Sequence, residues 1–208
     1  MYDNVVTQLL LEKFSEPSIQ EDIAIVDGYT NDQLTYRSLH NNTYEFANAL
    51  RKQGVKKGDC VAIISPNHLH YFTAFHGIAL TGAFSTTVNP AYTEDEIEYQ
   101  IGITHAKIIV AHPLCLEKSL KVAVKLGIKV ISLGKAQESG VVQGVDSSAV
   151  YLAALDDFIA NENMNDIDID SFIGGDENSF DSNNSILTIP FSRFGSRLDG
   201  ILYSPFNY

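Results

Sequence analysis

The sequence has 208 residues, 45% hydrophobic and 19% charged, which suits one globular α/β domain with a sizeable core. Its net charge of -12 argues against nucleic acid or an anionic membrane as a partner, and no apolar run approaches the length of a membrane span.

Ile23 to Val26 is a short apolar run closed by Asp27-Gly28, a strand and a turn. Thr35 is placed to cap a helix whose inner face carries Leu39, Thr43, Phe46, Ala47 and Leu50 at three- and four-residue steps. Gly54 suits the left-handed stop, and Val55 the apolar contact after it. Gly58-Asp59 then turns into Val61, Ala62, Ile63 and Ile64, an unbroken apolar run that marks a strand buried on both faces. Ser65-Pro66-Asn67 ends it, because Pro66 has no donor for a ladder. From Leu69 onward, Phe72, Phe75, His76 and Ala79 recur at helical spacing as far as Gly82, and Ala83 to Val88 returns as a strand.

Thr93 and Glu96 have the spacing of a capping box, with Ile97 and Ile101 on the inner face of the helix that follows. Lys107 to Ala111 reads as a strand ended by His112-Pro113. Leu116, Leu120, Ala123 and Val124 mark a helix closed by Gly127, and Ile128 to Leu133 the next strand. Strands alternating with helices predict an α/β fold, a mainly parallel open sheet with helices on both faces. Tyr151 to Ala160 reads as a short helix, with Leu152, Leu155 and Phe158/Ile159 on one face. Residues 161–185 are rich in Asn, Asp and Ser and read as a long exposed acidic loop. Lys135 to Arg193 encloses no other basic residue, so the chain's acidity is concentrated late. Ile186 to Ile189 resumes a strand.

The order G-D-x-V-A-I-x-x-P-N, helix, G-A, x-N-P-x-x-x-x-x-E carries a family resemblance. Its residues are Gly58, Asp59, Val61, Ala62, Ile63, Pro66, Asn67, Gly77, Gly82, Ala83, Asn89, Pro90 and Glu96. This pattern resembles the N-terminal region of adenylate-forming (AMP-binding) enzymes, nearest to acyl-CoA synthetases of the 4-coumarate–CoA ligase and luciferase type. Upstream, Thr35-Tyr36 with Leu39, and Gly54-Val55 with Gly58-Asp59, extend it. Downstream it runs to Pro190-Phe191-Ser192. The resemblance implies a partial N-terminal subdomain of that fold in residues 1–192, with the acidic loop 161–185 inside it. For a full member it implies ATP, magnesium and CoA, with acyl-adenylate formation and transfer to CoA. It also places the adenine, acyl and catalytic-lysine segments downstream of Tyr208.

In the family, P-F-S continues into a phosphate loop, S-G-T-T-G-x-P-K-G. Small residues there let backbone N–H groups reach phosphate oxygens, and Lys adds charge. Residues 193–208 form a diverged tail instead. Arg193, Phe194, Gly195, Ser196, Arg197, Leu198 and Asp199 lack the threonine pair and the lysine. Ser192, Gly195 and Ser196 are at most a vestigial phosphate loop, with Arg193 and Arg197 as substitute charges. The departures favour loss of the loop through divergence, an alternative exon or a shifted reading frame. The expectation is therefore a truncated acyl-CoA synthetase-like protein, inactive alone, with no catalytic residue and no cofactor of its own. The alternative is a non-catalytic interaction protein using its sheet edge or acidic loop, with a full-length relative or a second copy as partner.

Other candidates have plain readings. His68, His70 and His76 cluster around one helix start without a ligand-spaced carboxylate or thiolate, so no metal site is expected. Asp166, Asp168, Asp170 and Glu177 match an EF-hand count, but Ser171 stands where the turn needs Gly, and Ile167 and Ile169 intervene. Cys60 and Cys115 read as reduced, core-associated thiols. Met1-Tyr2-Asp3-Asn4 precedes no signal-like apolar core, so a cytoplasmic location is expected, where the sequons at Asn41 and Asn183 have no role.

Overall fold

The structure, a computed structural model, describes residues 5–134, 148–173, 191–194 and 197–200. Helix α1 spans Val5–Phe14 and leads to an antiparallel pair, β1 (Ile23–Val26) and β2 (Gln33–Thr35). Helix α2 spans Tyr36–Lys52. Thr35 caps it, its Oγ1 accepting from the Ser38 N–H at 3.1 Å. Its end follows the predicted route: Gly54 takes φ +88° and the Val55 N–H donates to the Leu50 carbonyl. The five predicted core positions of α2 are all buried.

The centre is β3 (Cys60–Ile64), α3 (Tyr71–Leu80), β4 (Phe84–Val88), α4 (Glu94–Thr104), β5 (Ile108–Ala111), α5 (Leu116–Leu126), β6 (Lys129–Ser132) and β7 (Tyr151–Ala154). The five strands form one parallel sheet in the order β4-β3-β5-β6-β7. Strand alternation explains the unbroken apolar run of β3. Val61 and Ile63 face Phe46, Leu50, Ala74 and Ile78 of α2 and α3. Cys60, Ala62 and Ile64 face the layer of Ile97, Ile101 and Leu120 from α4 and α5. Each face is covered by helices, so neither side of the strand tolerates polar residues.

Helix α3 meets the core differently from the sequence reading. Its fully buried residues are Thr73, Ala74, Gly77, Ile78, Ala79 and Leu80, while Phe72, Phe75 and His76 are half-buried. Small residues let α3 lie close on α2, and the aromatic edge is covered by α1, where Phe14 packs 5.6 Å from Phe72. On α5, Val124 is exposed and Val122 takes the core position.

A further correction concerns the later chain. Tyr151–Ala154 is a strand, and the helix α6 is only Leu155–Ile159. The β6–β7 register slips between Val130 and Ile131, so Ala153, not Leu152, pairs with Ile131. Leu152 of the strand and Leu155 and Phe158 of the helix fall three residues apart across the junction, which imitates one continuous helix face. In the described part of the acidic segment, residues 161–173, most Asn and Asp residues are exposed while a few apolar residues anchor it. A turn at Met164–Asp166 and helix α7 (Asp170–Ile173) tuck Ile167 and Phe172 against Leu11, Tyr44, Ala47 and Leu80. The isoleucines that interrupt the acidic pattern are among its anchors. Residues 174–185 and the predicted strand 186–189 lie outside the described residues. Strands β8 (Phe191–Phe194) and β9 (Arg197–Gly200) form an antiparallel pair.

Candidate functional site

The residues that carry the family pattern do backbone work. Gly58 and Gly82 both have positive φ, at +82° and +76°, and the Gly58 N–H donates to the Gly82 carbonyl at 2.9 Å. The two turns that flank β3 and β4 are therefore tied together. Asp59 Oδ2 accepts from the Lys56 N–H and pairs with Lys107 Nζ, both at 2.8 Å. Asn89 Oδ1 accepts from the Ala91 N–H, and Thr93 and Glu96 form a complete capping box. Lys118 Nζ donates to the carbonyls of Pro90 and Tyr92, clasping this turn to α5.

At the predicted phosphate loop, the register sets Ser192 opposite Asp199, Arg193 opposite Leu198 and Phe194 opposite Arg197. Gly195 and Ser196 lie outside the described residues.

Sheet order directs attention elsewhere. From β3 the chain crosses to β4 on one side, then returns past β3 to β5 on the other. The carboxyl ends of β3 and β5 therefore flank a topological switch point, the place where open parallel sheets hold ligands. His68 and His70 follow β3, and His112 follows β5. The His68 and His112 rings meet edge-to-face with centroids 5.1 Å apart, and His68 and His70 lie 5.7 Å apart. His68 Nδ1 accepts from the His70 N–H at 3.1 Å, and His112 Nδ1 accepts from the Leu114 N–H at 3.0 Å. Both rings therefore carry their proton on Nε2. His70 Nε2 lies 3.4 Å from Asp156 Oδ1 of α6, and His70 Nδ1 is buried without a hydrogen-bond partner.

Burial is the main force on these imidazoles. It pushes His68 down to about 4, helped by His70 and His112, and lowers His70 and His112 as well. The cluster is neutral at pH 7. With Nδ1 accepting and Nε2 protonated, neither His68 nor His112 offers a free lone pair to a metal. Among the described residues no group of three or more His, Cys, Asp or Glu side chains is arranged to hold one.

The sequence reading grouped His76 with His68 and His70. The structure separates it: His76 Nδ1 lies 2.9 Å from Thr7 Oγ1 beneath α1, and burial pushes it down to about 4. His112 is the member that sequence reasoning missed. Its signal, a His directly after a strand, is legible only once β5 is known to lie beside β3. In the EF-hand count, Asp166 and Asp170 belong to the folded 164–173 segment and Glu177 is outside the described residues. Cys60 and Cys115 are buried free thiols, and burial pushes Cys60 up to about 12. No helix among the described residues is long and apolar enough to cross a membrane.

Comparison with known proteins agrees with this architecture. The chain is 33% identical over 131 residues to 4-coumarate–CoA ligase 4 of Arabidopsis thaliana, covering 63% of this chain and 23% of that protein. It is 36% identical over 94 residues to 4-coumarate–CoA ligase 1 of Narcissus pseudonarcissus, covering 45% and 17%. It thus spans less than a quarter of the length of these curated relatives. A red-emitting luciferase from Phrixothrix hirtus shares its fold, with TM-score 0.75 and 23% identity over 97% of this chain and 45% of that one. So does a long-chain-fatty-acid–CoA ligase from Archaeoglobus fulgidus, with TM-score 0.73 and 18% identity over 100% and 38%. The family model for AMP-binding enzymes matches residues 16–192, ending at the same Ser192 to which the motif runs, and the chain belongs to that family.

Proposed function

We propose that these 208 residues are an N-terminal structural portion of an ATP-dependent carboxylic acid:CoA ligase and do not adenylate a carboxylate by themselves. In the parent chemistry a carboxylate attacks the α-phosphate of ATP, pyrophosphate leaves, and CoA takes the acyl group as a thioester. That step needs donors converging on the phosphates as charge develops. The observation that carries the reading is the text after Ser192. Phe194 and Asp199 stand where small or neutral residues are needed, and no Lys occurs from Arg193 to Tyr208. ATP and magnesium therefore fit poorly here, and we assign them to no residue of this chain.

The test is ATP–pyrophosphate exchange by the purified chain with fatty, aromatic and short acids. Exchange at the no-enzyme level is expected. Carboxylate-dependent exchange above that level would overturn the proposal and favour an altered phosphate loop with Arg193 and Arg197 as substitute charges.

A second reading, association with a full-length relative or a second copy, is favoured by exposed apolar side chains. Val6 and Leu9 of α1 are 54% and 58% exposed, and Tyr99 and Ile103 of α4 are 48% and 45% exposed. A concentration series by light scattering, with a dye that reports apolar surface, tests it. Concentration-dependent growth supports association, and a monodisperse, dye-silent monomer removes it.

A further inference from the structure

The histidines at the switch point hold two turns by bonds that exist only while the rings are neutral. The turn into α3 is braced by the His70 N–H donating to His68 Nδ1, beside the Tyr71 N–H bond to the His68 carbonyl, and the turn into α5 by the Leu114 N–H donating to His112 Nδ1, beside the Cys115 N–H bond to the His112 carbonyl. A protonated imidazole has no acceptor nitrogen, so each added proton sets N–H against N–H. The two rings are in edge-to-face contact, so movement of one exposes the other. The would-be Cβ of Gly134 lies only 3.2 Å from His68 Nε2, so the end of β6 also seats this ring.

The charges facing the cluster come from several elements. Asp27, in the turn between β1 and β2, and Asp156, at the start of α6, favour protonation of His68. His70 and His112 oppose it, as does burial. Asp156 also faces His70 directly.

We propose that His68 and His112 form a proton-operated latch over the carboxyl edge of the sheet, closed while both rings are neutral and released together on acidification. The sign follows from the lowered affinity for protons. The folded chain holds His68 neutral down to about 4, whereas the free side chain protonates near 6.5. The closed state is therefore fully favoured above about pH 6.5 and loses ground as pH falls towards about 4. The latch is independent of whether the chain activates a carboxylate.

Amide hydrogen exchange of the full chain, with protection factors compared at about pH 7.5 and about pH 4.5, reads the latch directly. Protection at His70 and Leu114 is expected to fall together by about tenfold or more, while Ile63 in β3 keeps its protection. The double variant His68→Asn, His112→Asn supplies a side-chain oxygen that accepts from the same amides and does not titrate. It is expected to hold both amides at the lower pH. Release at the same pH in the variant, or no release in the natural chain, overturns the proposal. If the variant loses Ile63 protection, imidazole nitrogen shifts of the natural chain decide. Nε2–H rings titrating well below 6.5 support the latch, and Nδ1–H rings or free titration near 6.5 overturn it.

Discussion

The guanidinium of Arg51 lies 3.5 Å above the ring of Phe172, joining α2 to a segment 121 residues further along the chain. Arg51 also donates to Ser171, and Lys52 Nζ pairs with Glu162 at 2.8 Å. Phe172 itself is buried against Tyr44, 5.7 Å between ring centroids. An acidic, polar stretch is thereby made part of the fold by one aromatic ring and the basic last turn of α2. Phe172→Ala should cost about 3 kcal/mol and free residues 162–173 for rapid amide exchange, leaving β3 protected. Chemical denaturation with residue-level exchange measures both, and an unchanged midpoint would mean that the ring contributes no packing.

Gly77 marks a close approach of α3 to α2. A Cβ there would lie 2.7 Å from Phe46 Cδ1 and 3.2 Å from the Thr43 carbonyl oxygen. Phe46 is fully buried and cannot withdraw. Gly77→Ala should therefore destabilise by about 1–3 kcal/mol, although Ala is the better helix former. A thermal melt that rises in this variant would contradict the close packing.

Thr93 accepts from the Glu96 N–H while Glu96 Oε2 accepts from the Thr93 N–H at 3.0 Å. Removing the hydroxyl leaves an amide at the start of α4 without its partner. Thr93→Ala should lose about 1 kcal/mol, and Thr93→Ser should retain most of it. Urea unfolding of the three proteins orders them.

His76 makes stability depend on pH. Its folded affinity for protons is lowered to about 4, against 6.5 for the free side chain, by burial. The unfolded chain thus binds more protons between these values, and stability falls as pH drops through that window. Its contribution to the slope approaches about 1.4 kcal/mol per pH unit where the folded ring is neutral and the unfolded ring charged. His76→Gln, which keeps a side-chain hydrogen-bonding group towards Thr7, should flatten the dependence of the denaturation midpoint between about pH 6.5 and 4. An unchanged slope would place the titrating groups elsewhere.

The sequence by itself determined the local elements around residues 20–133. Thr35, Gly54, Gly82, Thr93 with Glu96, and Gly127 each act within one or two turns of the chain, so their side chains or backbone freedom announce the element ends. The apolar run of β3 likewise announced burial on both faces, because no half-exposed strand leaves both alternating sets apolar. Those same short-range signals carry the family pattern, which is why membership was legible before any contact was known.

Tertiary structure alone decided what lies across the chain. Whether Leu152 belongs to a helix or a strand depends on its segment pairing with β6, and a partner so far along the chain has no signature in local periodicity. The isoleucines and Phe172 of the acidic segment looked too sparse to fold until α2 supplied Arg51 and Tyr44 as their counterpart. Phe72 and His76 looked like core residues of α3, but the close approach at Gly77 turned the small residues inward and left the large ones to α1. His112 acquired its meaning only from the strand order, which places β5 beside β3 and closes the distance to His68. Sequence spacing records neighbours along one element, whereas the switch point is a property of how crossovers change direction between strands.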